Sequence, residues 1–188
     1  MNTYTGSAAN YLDRFSKVLL ELDMQQIDQA IAIIANAWQN ERQIITLGNG
    51  GSSLTALHYI NDWNKSIYLA THKPFRGRSL VDNIGLIMAY ANDVSFQDVF
   101  VEQLKNILQP RDLVIAISGS GNSENVIRAV NYANEQDAIT LGICGYNGGK
   151  LKEIAQHYIW VNVNDMQLSE DIHAIFGHIV MQKLCGYF

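Results

Sequence analysis

Histidine and carboxylate side chains recur at helical spacing in two distant parts of the chain. His58 and Asp62 are four residues apart, which places both side chains on one face of a helix. Glu170 and His178 are eight residues apart in the last apolar segment and project from nearly the same side of a helix. Imidazole nitrogen and carboxylate oxygen are both ligands of zinc. Taken alone, the first spacing is more often a helix-face ion pair, and an imidazole on an apolar face is usually a hydrogen-bonded core histidine.

Two segments rich in glycine and serine follow apolar, β-branched runs. The run at 44–47 ends at 48–53, and the run at 113–117 ends at 118–123. Glycine permits a tight turn close to a ligand, and the helix that follows presents unpaired N–H groups and its positive dipole end. Serine hydroxyls donate to phosphate oxygens. A single loop of this kind is usually an ordinary strand-to-helix turn, whereas two together favour binding of a phosphorylated small molecule.

Neither loop matches a nucleotide-binding motif. The P-loop lysine is missing, and the glycines at 48–51 lack the full dinucleotide spacing. The formal net charge of −5 argues against a nucleic-acid surface. Lys73, Arg76 and Arg78 are the basic residues that stand close together, and we interpret this group as a solvated loop. The sequence therefore predicts no nucleic-acid partner.

Length and cysteine content indicate a single domain in a reducing compartment. A chain of 188 residues, 48% of them hydrophobic, is long enough for one sizeable core. Cys144 and Cys185 are too few for a disulfide framework, so we expect two buried thiols. No apolar run is long enough to span a membrane, and residues 1–7 lack the pattern of a secretory signal. We expect a cytoplasmic protein without a membrane partner.

The elements that must position these residues follow from the apolar periodicity. Helices are expected at 8–22, 24–40, 84–90, 99–108, 124–134 and 168–185, and one more is expected after the first loop, capped by Ser52 or Ser53. Strands are expected at 43–47, 112–117, 138–144 and 158–163, with a short strand or irregular loop within 65–82.

Alternation of helices with continuously apolar strands indicates an α/β fold, in which a parallel sheet is covered on both faces. We expect one domain, 1–188, with an N-terminal helical region at 1–42 and an α/β core at 43–188. Ligands of such folds lie outside the carboxyl ends of the strands. Both loops fall there, so they should open onto one cleft.

Several segments together match a known family. They are Gly48-Asn49-Gly50-Gly51-Ser52, Ala56-Leu57-His58, Ala91-Asn92-Asp93, residues 117–126, Gly148-Gly149-Lys150, and Glu170-Asp171-Ile172-His173 with His178. On these segments the chain resembles, over nearly its whole length, the sugar-isomerase (SIS) domain family and its phosphoheptose isomerase branch. The resemblance implies a three-layer α/β sandwich. It also implies conversion of sedoheptulose 7-phosphate to D-glycero-D-manno-heptose 7-phosphate, in lipopolysaccharide or capsule synthesis.

The resemblance also implies a role for each matching residue. The residues implied to contact the phosphosugar are Asn49, Gly50, Gly51, Ser52, Asn92, Asp93, Ser118, Gly119, Ser120, Ser123 and Glu170. The residues implied to bind one divalent ion, zinc, are His58, Asp62, Glu170 and His178. Asp62 and His178 are also implied to carry the proton transfer. We assign His173 to packing.

The chain departs from the family pattern at four positions. Asp62 replaces a glutamate, Glu170 a glutamine, Gln167 an aspartate and Ser66 an arginine. The shorter Asp62 reaches less far towards a substrate carbon, and a carboxylate at 170 adds charge to a metal's ligand set. These changes keep open an isomerase of another phosphosugar. A non-catalytic relative of the DnaA initiator-associating type is the other alternative, and retention of His178 favours the enzyme.

The two N-terminal helices are expected to carry apolar residues that one sheet face cannot bury. These residues are Phe15, Leu19, Ile31, Ile34 and Trp38. An uncovered apolar face favours self-association. The resemblance implies a homotetramer with sites at subunit boundaries, where the last helix of one chain would meet the first loop of another.

Overall fold

The computed structural model describes residues 6–188. The segment 1–7 was expected to lack a secretory signal, and its residues 1–5 lie outside the described residues. The helices are α1 (Ala8–Leu20), α2 (Met24–Gln39), α3 (Gly51–Asp62), a π-helix (Trp63–Ile67), α4 (Tyr68–Thr71), α5 (Ile84–Asp93), a 3₁₀ turn (Phe96–Asp98), α6 (Val99–Ile107), α7 (Glu124–Glu135), α8 (Gly149–Ile154) and α9 (Met166–Leu184). The strands are β1 (Ile44–Gly48), β2 (Gly77–Ser79), β3 (Leu113–Ser118), β4 (Ile139–Cys144) and β5 (His157–Trp160).

The strands form one sheet in the order β2-β1-β3-β4-β5, and every neighbouring pair is parallel. Every residue of β1 and β3 is buried, because helices cover both faces of a parallel sheet. The short strand expected within 65–82 is β2. The last strand ends at Trp160, earlier than the 163 expected from the sequence, and Val163 instead accepts a hydrogen bond from the backbone N–H of Tyr146.

Two hydrophobic clusters, one on each face of the sheet, make the fold a three-layer sandwich as expected. Helices α2, α3 and α9 supply one cluster, which includes Ile34, Tyr59 and Phe176. Helices α6, α7 and α8 supply the other cluster, which includes Phe100 and Val130. Each helix buries its apolar stripe against the sheet because this removes the apolar area from water.

The expectation that α2 offers Ile31 and Ile34 to a partner subunit was wrong. Ile31 and Ile34 are buried in the cluster on their own sheet, so they are not available to a partner subunit. Helix α1, by contrast, has no buried residue. Two side-chain hydrogen bonds connect α1 to this region, from Tyr11 to Asp171 in α9 and from Arg14 to Asp165, the N-cap of α9.

Two local expectations were also wrong. Helix α3 begins at Gly51, and its N-cap is Gly50 at φ 52° without a side-chain cap. Ser52 and Ser53 therefore lie inside the first turn and do not cap the helix. The helix expected at 84–90 extends to Asp93, so Asn92 and Asp93 are the last residues of α5. Among the residues described, no helix combines the length and apolar character needed to cross a bilayer.

Candidate active site

The two glycine–serine loops open onto one cleft, as the sequence predicted. Because β1 and β3 are parallel neighbours, with Gly48 paired to Ile117, both loops leave the same edge of the sheet. They line a cavity of about 250 Å³. The lining comprises Asn49, Gly50, Gly51, Ser52, Ser118, Gly119, Ser120, Ser123, Met166 and Glu170. Except for Asn92 and Asp93, every residue that the resemblance assigned to the phosphosugar is in this lining.

A pair of amides fastens the two loops together. Asn49 Nδ2 donates to Asn125 Oδ1 at 2.8 Å, and Asn125 Nδ2 donates to Asn49 Oδ1 at 3.0 Å. Asn125 is buried, and its oxygen also accepts from the backbone N–H of Val126 at 3.0 Å. Asn125 stands in a matching segment, but sequence reasoning gave it no role. An amide in the first turn of the helix after the second loop was the available signal.

The cleft is equipped to hold an anion. Helices α3 and α7 begin at its edge, and their first N–H groups have no partner within the helix. Ser118 Oγ accepts from Gly121 N and Ser120 Oγ accepts from Asn122 N, both at 3.2 Å, which leaves each hydroxyl proton free to donate. Gly121 has φ 67°, and a Cβ there would lie 2.0 Å from Gly148 O, so the second loop requires glycine at this point.

Glu170 brings a negative charge into the same cleft. Its carboxylate oxygens lie 2.8 and 2.9 Å from the position a Cβ on Gly51 would take, so α9 and the first loop meet within one chain. The contact that the resemblance implied between two subunits is therefore also formed within one chain. A carboxylate accepts hydrogen bonds and cannot donate them. Glu170 can therefore hold sugar hydroxyls, but it repels a phosphate.

His58, Asp62 and His178 converge on one point. The Nε2 atoms of the two histidines are 2.9 Å apart, and Asp62 Oδ2 lies 3.4 Å from His58 Nε2 and 3.9 Å from His178 Nε2. Their side chains are 46%, 24% and 50% exposed for His58, Asp62 and His178, respectively, so a small molecule can reach them. Two imidazole nitrogens and one carboxylate oxygen at such separations form a donor set for a divalent cation.

The structure does not bring Glu170 into this group of possible metal ligands. Glu170 and His178 both face α3, as their spacing predicts. However, eight residues of α-helix extend about 12 Å along the axis. Glu170 therefore meets the start of α3 at Gly51, whereas His178 meets its last turns at His58.

The contact between α3 and α9 that joins the histidines depends on Gly177. A Cβ on Gly177 would lie 2.2 Å from the Tyr59 ring, so only glycine allows this ring to pack on the backbone of α9. The Trp63 indole donates to the Gly177 carbonyl at 2.9 Å, and the Tyr59 hydroxyl donates to the His173 carbonyl. Tyr59 directly follows His58 in the chain, and Gly177 directly precedes His178. A glycine inside an apolar helical segment was the sequence signal for this close approach.

His173 belongs to the core rather than to the site. It is 1% exposed, and neither ring nitrogen has a partner in hydrogen-bond geometry among the described residues. Burial lowers its pKa to about 4, although the nearby Cys144 carbonyl favours the protonated ring slightly. The ring is therefore neutral at physiological pH.

Other residues singled out in the sequence lie away from the cleft lining. Asn92 and Asp93 are exposed and bonded to each other, with Asn92 Nδ2 donating to Asp93 Oδ1 at 2.7 Å. Ser66 lies in the π-helix that continues α3. Gln167 is exposed in the first turn of α9.

A larger cavity, about 610 Å³, adjoins the cleft and shares Ser120 and Met166 with it.

Known proteins are similar to this chain in both sequence and fold. The family model of the SIS domain matches residues 3–145. A phosphoheptose isomerase of Aquifex aeolicus is 32% identical over 163 residues, 87% of this chain and 85% of that relative. A solved phosphoheptose isomerase from Neisseria gonorrhoeae has a TM-score of 0.86 at 24% identity, covering 94% of this chain and 95% of that one. One from Francisella tularensis has a TM-score of 0.88 at 20% identity, covering 96% of each chain.

Proposed function

We propose that this chain, which belongs to the SIS-domain family and to its phosphoheptose isomerases, converts sedoheptulose 7-phosphate to D-glycero-D-manno-heptose 7-phosphate. The observation that carries the proposal is the arrangement of two sites on the face of the chain where α3 and α9 meet. One is an anion cleft between two glycine–serine loops. The other is a cluster of acid–base groups farther along the same two helices.

The cleft would bind the phosphate and so position the sugar. The hydroxyls of Ser118 and Ser120 and the N–H groups at the starts of α3 and α7 donate to phosphate oxygens. Binding energy gained at the phosphate is remote from the reacting carbons, and it holds those carbons in a fixed place. The Asn49–Asn125 pair keeps the two loops at a constant separation, so the phosphate position does not drift.

Asp62 and His178 would move the protons. A base takes a proton from C1 of the ketose to give an enediol, an acid returns a proton to C2, and the hydroxyl proton on O1 leaves as O2 gains one, so atoms and charge balance. Carboxylate oxygen and imidazole nitrogen can each accept and return a proton. Their separation of 3.9 Å allows one group to serve a carbon and the other an adjacent oxygen.

We propose that His58, Asp62 and His178 hold one zinc ion. Ligand atoms around a tetrahedral zinc, with bonds of about 2.0–2.1 Å, lie roughly 3.3 Å apart. The separations of 2.9, 3.4 and 3.9 Å bracket that value, so the donor set fits. Three protein ligands leave a position for water or substrate. A bound zinc would supply Lewis-acid polarisation of the substrate carbonyl.

We also propose a homotetramer with sites at subunit boundaries. Helices α1 and α5 bury no residue within the described chain, and Leu20, Ile84 and Met88 expose 88%, 72% and 65% of their surface. A second copy of the chain would remove this apolar area from water. Cys144 is buried as expected, whereas Cys185 is only partly buried. Both are free thiols, which supports placing the enzyme in a reducing cytoplasm.

Proton NMR of the purified protein with sedoheptulose 7-phosphate tests the activity, with and without a chelator. The anomeric signals of an aldoheptose phosphate are expected, with strong loss on chelation. His178→Ala should remove a proposed ligand and a proton carrier together while the fold persists, so activity should fall steeply. No aldoheptose from the metal-loaded wild type would refute the heptose assignment. Full activity in His178→Ala would refute the catalytic role of that residue.

A further inference from the structure

A second polar cavity, about 440 Å³, lies at the opposite end of the sheet from the cleft. It forms where β1, β2 and β3 begin. Three arginines line it, namely Arg42, Arg76 and Arg78. The strand period of two places Arg76 and Arg78 on one face of the chain, and Arg42 precedes the neighbouring strand. Arg111 lines an adjoining cavity together with Arg42.

The arginines at this end differ from the others in their ion pairing. Arg14 pairs with Asp165, and Arg128 pairs with Asp98 and Glu124. Within the described residues, no ion pair and no side-chain hydrogen bond engages the remaining arginines, which are Arg42, Arg76, Arg78 and Arg111. In a protein with a net charge of −5, the unpaired guanidinium groups are therefore gathered in one place.

Acidic groups in the cavity do not balance this charge. Asp112 is buried, and its oxygens accept from Gln43 N at 3.0 Å, Gln43 Nε2 at 2.9 Å and Gln109 N at 3.0 Å. Glu41 is exposed at the cavity wall. If both carboxylates are counted as charged, the lining keeps one excess positive charge, and Arg111 beside it adds another.

We propose that this arginine cavity binds the oligophosphate group of a small molecule. Guanidinium groups hold phosphate oxygens in bidentate pairs. Side chains two residues apart on a strand are separated by about 7 Å, so Arg76 and Arg78 together with Arg42 reach more than one phosphate group. The concave shape and volume are those of a small-ligand site, typically about 300–1,000 Å³, rather than of a surface for a polymer.

Isothermal titration of the intact oligomer with pyrophosphate tests the proposal. The serine loops of the cleft also attract anions, so the titrations use the Ser118→Ala/Ser120→Ala background. Adding Arg76→Gln/Arg78→Gln should weaken pyrophosphate binding by at least about tenfold, because charge-assisted hydrogen bonds are lost. Adding Lys17→Gln/Lys183→Gln removes the same charge from exposed helix positions and should leave the affinity unchanged. Circular dichroism checks that each variant is folded.

Three results would overturn the proposal. The first is absence of pyrophosphate binding in the serine background. The second is unchanged affinity for pyrophosphate after Arg76→Gln/Arg78→Gln. That result would mean that these arginines only neutralise the negative dipole ends of nearby helices. The third is equal affinity for inorganic phosphate. If ADP binds more tightly than pyrophosphate, the natural ligand is a nucleotide. If the two bind with equal affinity, the ligand is a free oligophosphate. In otherwise wild-type protein, Arg76→Gln/Arg78→Gln should keep full isomerase turnover. A failure of the oligophosphate proposal therefore does not count against the proposed isomerase reaction.

Discussion

Replacing His173 with leucine should reduce the loss of stability of this protein in acid. The folded state lowers the pKa of this imidazole from 6.5 to about 4 because the ring is buried. Above pH 6.5 both the folded and the unfolded ring are neutral, so no stability is lost. Between pH 6.5 and 4 the unfolded ring binds a proton that the folded ring does not. The free energy of unfolding falls by about 1.4 kcal/mol per pH unit over that interval, or about 3 kcal/mol in total.

Leucine is close to histidine in volume and has no polar atoms to leave unsatisfied. Because both ring nitrogens of His173 lack partners in hydrogen-bond geometry, His173→Leu should be neutral or stabilising at pH 7. Its stability should then fall less than that of the wild type between pH 7 and pH 4, by about 3 kcal/mol. Isomerase turnover should persist, since the ring lies outside the cleft.

Urea unfolding at several pH values measures this difference. Phe176→Leu, which changes a buried ring of the same helix that cannot bind a proton, serves as the control. Its stability should fall with pH in parallel with that of the wild type. If His173→Leu and the wild type lost stability in parallel, the imidazole would not be held neutral by burial, and the reasoning would fail.

Three further changes test the site. Gly177→Ala should cost about 1–3 kcal/mol of stability in urea unfolding and lower turnover, because a Cβ would lie 2.2 Å from the Tyr59 ring; unchanged stability would contradict this contact. Asn125→Ala should raise KM for the phosphosugar about tenfold, since Asn49 loses its partner, and an unchanged KM would mean that the loops do not need the link. Glu170→Gln should lower KM about tenfold by removing a charge that repels phosphate, with zinc content by mass spectrometry unchanged. Loss of zinc would instead place Glu170 among the metal ligands.

The sequence by itself predicted most of the elements and, through the family resemblance, most of the residues that line the cleft. Apolar periodicity gave the helices and the parallel strands, because a buried face repeats with the period of its own backbone. The two glycine–serine loops were recognisable since turn chemistry depends on adjacent residues. The ends of elements were predicted less accurately: Gly50 rather than a serine caps α3, and β5 ends early at Trp160.

Only the tertiary structure decided which side chains meet. Helical spacing gives the direction in which a side chain points, but not its position along the partner helix. Glu170 and His178 therefore share a face yet reach Gly51 and His58, respectively. The Asn49–Asn125 pair and the arginine cavity likewise join residues from separate elements. Such distances depend on sheet order and on close contacts such as Tyr59 against Gly177, which form only when the whole core packs.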